Sequence, residues 1–71
     1  MLYVGIDVAK NKHDFAVLDE NGEIKIKNKH FPNNQGGFHF LQQQLQQLND
    51  TFLIALEDTG HYAFNLLAFL L

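Results

Sequence analysis

Cysteine is absent from the 71-residue sequence, so neither a disulfide framework nor a thiolate zinc site compensates for its small size. The same absence permits a reducing compartment, and the cytoplasm is the expected setting. Basic charge is scarce as well. Five lysines stand against eight acidic residues, for a net charge of −3, and a chain with that balance does not bind nucleic acid through charge alone. Any nucleic-acid role has to be chemical, or shared with other parts of a protein. The opening Met1-Leu2-Tyr3-Val4-Gly5-Ile6-Asp7 has no basic n-region and reaches a carboxylate too early for a signal peptide. Long apolar runs are missing too: Ala63 to Leu71 is interrupted by Asn65 and falls short of the roughly 20 residues that span a bilayer. No membrane partner is expected. No Ser-His-Asp set or phosphate loop is present. His13, His30, His39 and His61 lack metal-ligand spacing and read as surface or satisfied core histidines.

What is present suits one small domain. Apolar residues make up 46% of the chain, and seven Phe with two Tyr supply large side chains, although a chain this short buries only roughly 60% of its unfolded surface. Leu2 to Val8, broken only by Gly5 and Asp7, reads as a central strand buried on both faces. Lys10-Asn11-Lys12 turns the chain into a second strand, Phe15-Ala16-Val17-Leu18, which ends at Asp19. Glu20-Asn21-Gly22-Glu23 then carries an Asn-Gly pair, whose residues tolerate positive φ, and predicts a hairpin. In the third strand Ile24 and Ile26 alternate with Lys25 and Lys27, the pattern of a sheet edge with one buried face.

Pro32-Asn33-Asn34 stops that strand and offers an N-cap, and Gly36-Gly37 gives the chain freedom as it enters the next element. The period then changes. Phe38, Leu41, Leu45 and Leu48 recur at spacings of three and four among glutamines, which predicts an amphipathic helix ended by Asn49-Asp50. Phe52-Leu53-Ile54-Ala55-Leu56 is a second continuous apolar run, read as a buried strand and closed by Glu57. Asp58-Thr59-Gly60 supplies caps for a second helix through Tyr62, Leu66, Leu67, Leu70 and Leu71, which shows no stop signal. The pattern is that of an α/β chain cut inside a larger domain.

Two strands that read as central thus end in a carboxylate, and ligands of open α/β sheets sit at the carboxyl ends of parallel strands. A helical crossover lets the Phe52 strand lie parallel to the first and beside it, so that Asp7 and Glu57 share one rim. Carboxylates held that close repel unless one takes up a proton or a cation intervenes, and oxygen-ligated Mg²⁺ or Mn²⁺ is the natural cation. Such a pair suits metal-dependent phosphoryl transfer. Asp14 and Asp19 flank the second strand and read as turn residues, and Asp58 reads as a helix cap. Lys10 and Lys12 come after the Asp7 strand at the supposed active rim and are the candidate phosphate contacts; the five lysines are otherwise too few for a stripe.

Three segments carry a resemblance to a known family: Tyr3-Val4-Gly5-Ile6-Asp7-Val8-Ala9-Lys10, Leu18-Asp19-Glu20-Asn21-Gly22 and Leu56-Glu57-Asp58-Thr59-Gly60-His61-Tyr62. In order and spacing they resemble the N-terminal region of the insertion sequence 110 family, the DEDD transposases, across essentially the whole chain. The resemblance implies an RNase H-like (RuvC-like) mixed sheet with flanking helices. It implies Mg²⁺-dependent (or Mn²⁺-dependent) DNA strand cleavage and exchange in DNA transposition, a form of DNA recombination, with Asp7 and Glu57 as catalytic and metal-binding carboxylates. Two further acidic residues of the family lie in a Lys-Thr-Asp segment beyond this sequence. A guide RNA in part of the family and a serine-bearing C-terminal domain are also implied. Asp58 departs from the small residue the family usually has before Thr-Gly.

Three other readings share parts of the pattern. Actin-like and sugar-kinase ATPases also begin with a Gly-Ile-Asp strand, but their next turn cradles phosphate with Gly, Ser or Thr, and Ala9-Lys10-Asn11-Lys12-His13 has none of these. A Holliday-junction resolvase would use the same carboxylates. A non-catalytic interaction module is favoured if Asp7 and Glu57 lie far apart. Partners expected from the sequence are DNA and a second copy of the chain, the latter because Leu66, Leu67, Phe69, Leu70 and Leu71 are expected to leave an apolar helix face exposed.

Overall fold

The computed structural model describes residues 1–57 and 64–70, in the order β1 (Leu2–Asp7), β2 (Lys12–Asp19), β3 (Ile24–Pro32), α1 (Gln35–Gln47), β4 (Phe52–Glu57) and α2 (Phe64–Leu70). The strands form one mixed sheet in the order β3-β2-β1-β4. β1 runs antiparallel to β2 and parallel to β4, and α1 makes the crossover that a parallel pair requires. This is the RNase H-like arrangement expected from the sequence. The caps expected of Asp58, Thr59 and Gly60, and the positions of His61, Tyr62 and Leu71, lie outside the described residues.

The β2–β3 turn is built around Asp19. Its backbone N–H donates to the Glu23 carbonyl at 2.9 Å, and its own carbonyl accepts from the Gly22 N–H at 3.0 Å. Its Oδ1 accepts from the backbone N–H of Asn21 and of Glu23, at 2.9 and 2.8 Å. Gly22, at φ +80°, takes the left-handed position that such a three-residue loop needs; Asn21 keeps a negative φ, so only one residue of the Asn-Gly pair uses its freedom. The Glu23 and Asn21 N–H groups, with Lys25 close by, hold the Asp19 carboxyl below its ordinary value.

Asn34 caps α1 from extended backbone, its Oδ1 accepting from the Gly37 N–H at 2.8 Å. Gly37 is required for a different reason than freedom at the helix entry: a Cβ there would lie 2.0 Å from the Pro32 carbonyl oxygen. The glycine lets the first turn of the helix sit against the end of β3. Asn49, at φ +50°, turns the chain out of the helix, its N–H donating to the Gln46 carbonyl at 3.1 Å.

One face of the sheet carries the core. Leu2, Val4, Ile6 and Val8 from β1 and its extension, Phe15 and Val17 from β2, and Ile26 and Phe31 from β3 pack with Phe38, Leu41 and Leu45 of α1 and Leu66 of α2. Because successive strand residues point to opposite faces, the alternate residues Tyr3, Leu18 and Leu53 stand on the other face, exposed between 38% and 57%. Ile24, expected to share the buried face of Ile26, instead pairs with Leu18 across an irregularity in the β2–β3 ladder and is 59% exposed. Three further expectations are corrected by this packing. β1 is central but buried on one face only, and β4 is an edge strand among the described residues, with Leu53 and Ala55 exposed and Ile54 and Leu56 half-buried. Apolar composition reports what a strand is able to bury, whereas α1 and α2 both contribute to a single core cluster. The last helix also differs: Leu66 is fully buried, and Phe69 and Leu70 pack against the core, Phe69 meeting Phe38 at 5.5 Å between ring centroids. Of its expected exposed leucines, Leu67 alone is exposed among the described residues.

His13 also falls on the core face of β2 and is fully buried. The Ala9 N–H donates to its Nδ1 at 3.2 Å, which assigns the ring proton to Nε2. That atom is buried and has no partner among the described residues, which leave the histidine half satisfied. Phe31, edge-on at 5.2 Å, and Phe38, stacked at 6.5 Å, enclose the ring.

Candidate functional site

The parallel β1–β4 ladder sets the site. Its register pairs Leu2 with Phe52 and ends with Asp7 level with Glu57. The Leu2 N–H donates to the Thr51 carbonyl at 2.8 Å and the Val8 N–H to the Glu57 carbonyl at 2.9 Å, so hydrogen bonds clamp the ladder at both ends. A slip of one residue would move every core side chain to the open face. Burial of Leu2, Val4 and Ile6 therefore fixes Asp7 on the open face. The same alternation sets Leu53, Ala55 and Glu57 on that face of β4. Adjacent strands lie about 4.8 Å apart, which makes Asp7 and Glu57 lateral neighbours at the carboxyl ends of parallel strands.

β2 adds a third carboxylate. Asp14 pairs directly with Asp7 across the antiparallel ladder, half-buried within the strand rather than in a turn, which corrects the sequence reading. β2 begins at Lys12, earlier than the apolar run suggested, because the buried His13 continues the core face past Phe15. The Asp14 Oδ1 lies 3.1 Å from His30 Nδ1 on β3. Asp14, Asp7 and Glu57 thus form one acidic row across three strands.

Beside that row the floor is made of small residues. Gly5 pairs with Ala16 on one side and Ala55 on the other, and a Cβ at Gly5 would meet nothing within 4 Å. A hollow of about 370 Å³ lies over this floor and is lined by the three acidic residues and by Asn28 of β3. The next row, Leu18, Tyr3 and Leu53, is apolar and borders a second hollow of about 240 Å³ over the same floor. Asn28 arrives through a β-bulge: Phe15 pairs with Lys29 and Val17 with Ile26, leaving Ala16 opposite both Lys27 and Asn28. No sequence signal marked Asn28 or His30. Asp14 had one, the i, i+2 spacing with Lys12 and Ala16, obscured by the histidine between.

Lys12 lies two residues from Asp14 on the same face of β2 and is exposed, paired with Pro32. Lys10 is exposed in the β1–β2 turn. Its carbonyl accepts from Asn33 Nδ2 at 3.0 Å, and the Asn33 N–H donates to the Asn11 carbonyl at 2.9 Å. These bonds staple the turn to the segment after β3.

The donor set is chemically suited to a hard divalent cation: carboxylate oxygens on adjacent strands, exposed, with small residues leaving room for water or a phosphate. Among the described residues no three acidic or histidine side chains converge closely enough to hold a metal ion. The family model of the DEDD transposases of insertion sequence 110, described as a transposase, matches residues 4–71. No curated protein matches the chain.

Proposed function

The chain belongs to the insertion sequence 110 family of DEDD transposases, and from that membership we propose that it forms the N-terminal part of an RNase H-like nuclease domain in which Asp7 and Glu57 are two of the metal-holding catalytic carboxylates. The family is catalytic, RNase H-like, DNA-binding and dependent on divalent metal ions. Membership sets aside the sugar-kinase and Holliday-junction-resolvase alternatives. The observation that carries the proposal is the pairing of Asp7 with Glu57 at the carboxyl ends of two parallel strands.

In this reading Asp7 and Glu57 each present carboxylate oxygens to Mg²⁺ or Mn²⁺, with water and the family's remaining acidic residues completing the coordination. When bound, the ion supplies positive charge against the charge developing on the scissile phosphate. Gly5, Ala16 and Ala55 keep the approach to the rim low, so that a DNA backbone reaches it. Lys10 and Lys12 contact neighbouring phosphates. The reaction is strand cleavage and exchange in DNA transposition, with a guide RNA as further partner and the cytoplasm as the setting; no helix among the described residues is long and apolar enough to cross a membrane. A homo-oligomer belongs to the same proposal, its support moving from the final helix to the open sheet face with Tyr3, Leu18, Ile24 and Leu53.

Manganese titration monitored by NMR tests the site directly. Paramagnetic broadening is expected at the amides of Asp7, Val8 and Glu57, and weak binding is expected because two carboxylates leave much of the coordination to water. Broadening that persists unchanged in the Asp7→Asn, Glu57→Gln double variant would show that the ion sits elsewhere.

A further inference from the structure

All five lysines of the chain gather on one flank of the sheet. Lys25, Lys27 and Lys29 lie on the edge strand β3, Lys12 begins β2 opposite Pro32 of β3, and Lys10 sits in the adjoining turn. β1, β4, α1 and α2 contain none. Lysines too sparse along the sequence to form a stripe are thus concentrated by the hairpin, beyond the Asp14 end of the acidic row.

They are not equivalent. Lys25 lies 3.8 Å from both Asp19 and Glu23, and Lys29 donates to Gln44 Oε1 at 3.2 Å on the α1 side. Lys12 and Lys27 are exposed and make no ion pair among the described residues. Each is placed toward the open face by a specific feature. Strand alternation sets Lys12 on the face of Asp14, opposite the buried His13, and sets Lys27 away from the buried Ile26, across from Ala16 on the open face; the bulge brings Asn28 to the same side beside it. Bulges near a functional site commonly re-aim a side chain in this way.

We propose that Lys12 and Lys27 form a phosphate track along the β3 side of the open face, which holds the backbone of the DNA strand on its way to the Asp7–Glu57 rim. This rests on the nuclease reading for the end of the track, but the track itself rests on the charge distribution. A polyanion is the complementary occupant. The rim row is acidic and repels phosphate wherever no cation intervenes, whereas the β3 flank attracts it, so the two together set a direction across the sheet. A chain of net charge −3 binds phosphates at a few placed contacts rather than over a broad basic surface.

The test is the salt dependence of binding between the complete transposase and a short DNA duplex of arbitrary sequence. Each lost phosphate contact lowers the slope of log K against log salt by about 0.9, so Lys12→Gln with Lys27→Gln is expected to lower it by about 1.8. Lys25→Gln, whose ammonium already lies against Asp19 and Glu23, is expected to leave it unchanged. An unchanged slope in the double variant overturns the track, as does an equal loss in Lys25→Gln. A slope that falls for an RNA hairpin but not for the DNA duplex also overturns it. Failure of the nuclease reading registers separately, as cleavage by the Asp7→Asn variant, and leaves the slope measurement standing.

Discussion

Asp7 faces Asp14 directly across the β1–β2 ladder, while Glu57 stands level with it on the other side. Like charges opposite one another in a sheet destabilise it by about 0.2–1 kcal/mol. The Asp7 side chain accepts no hydrogen bond among the described residues that would offset this. Asp7→Asn is therefore expected to raise stability by about 0.2–1 kcal/mol in chelator. Urea denaturation without divalent ions measures it, and a less stable variant would mean that Asp7 has a structural role.

Gly37 makes the opposite kind of prediction. With a Cβ only 2.0 Å from the Pro32 carbonyl oxygen, Gly37→Ala forces β3 and α1 apart and is expected to cost about 1–3 kcal/mol, the usual range for overpacking. At Gly36 the nearest atom to a Cβ is Asn34 Oδ1, at 3.5 Å, and Gly36→Ala is expected to be neutral or mildly stabilising, since alanine is the better helix former. Equal denaturation midpoints for the two variants would contradict the close approach.

Acid should loosen the β2–β3 turn. The Glu23 N–H, the Asn21 N–H and Lys25 hold the Asp19 carboxyl low, so the folded chain binds that proton less readily than the unfolded chain. The stability it contributes is present above the ordinary aspartate value and is lost as pH falls through the lowered folded value. In Asp19→Asn this part of the acid dependence is expected to disappear. Thermal melts of both proteins from neutral pH down to pH near 3, roughly the lower aspartate range, measure the difference. Parallel stability curves would rule the turn contact out as its source.

Much of this layout was legible in the sequence, for identifiable reasons. Asn21-Gly22 located the hairpin because a left-handed residue is required there, and the Leu41, Leu45 and Leu48 spacing located α1 because one stripe of the helix meets the sheet. The Asp7–Glu57 pairing came from two apolar runs each closed by a carboxylate and joined through a helix. Coverage was less legible. Leu53 is as apolar as Val4, yet one is exposed and the other buried, since strand composition does not encode which face the helices take. Asp14 was misread because His13, a polar residue in name, occupies a core position. Alternation with Ile26 placed Lys27 on the wet face, but the placement of Asn28 depends on a bulge that is a property of pairing, and its own neighbours do not reveal it.

The central claim is that Asp7 and Glu57 act together in metal-dependent strand cleavage. Its most direct measurement is the cleavage rate of the complete transposase on DNA in Mg²⁺ or Mn²⁺, taken beside its DNA affinity, for wild type, Asp7→Asn and Glu57→Gln. Losing one contact that stabilises developing charge typically lowers the rate by about 10² to 10³, so each neutral variant is expected to lose at least about that factor while binding DNA nearly as tightly, because neither carboxylate donates to phosphate. Cleavage at the wild-type rate by either variant would contradict the assignment and leave the domain as a non-catalytic interaction module.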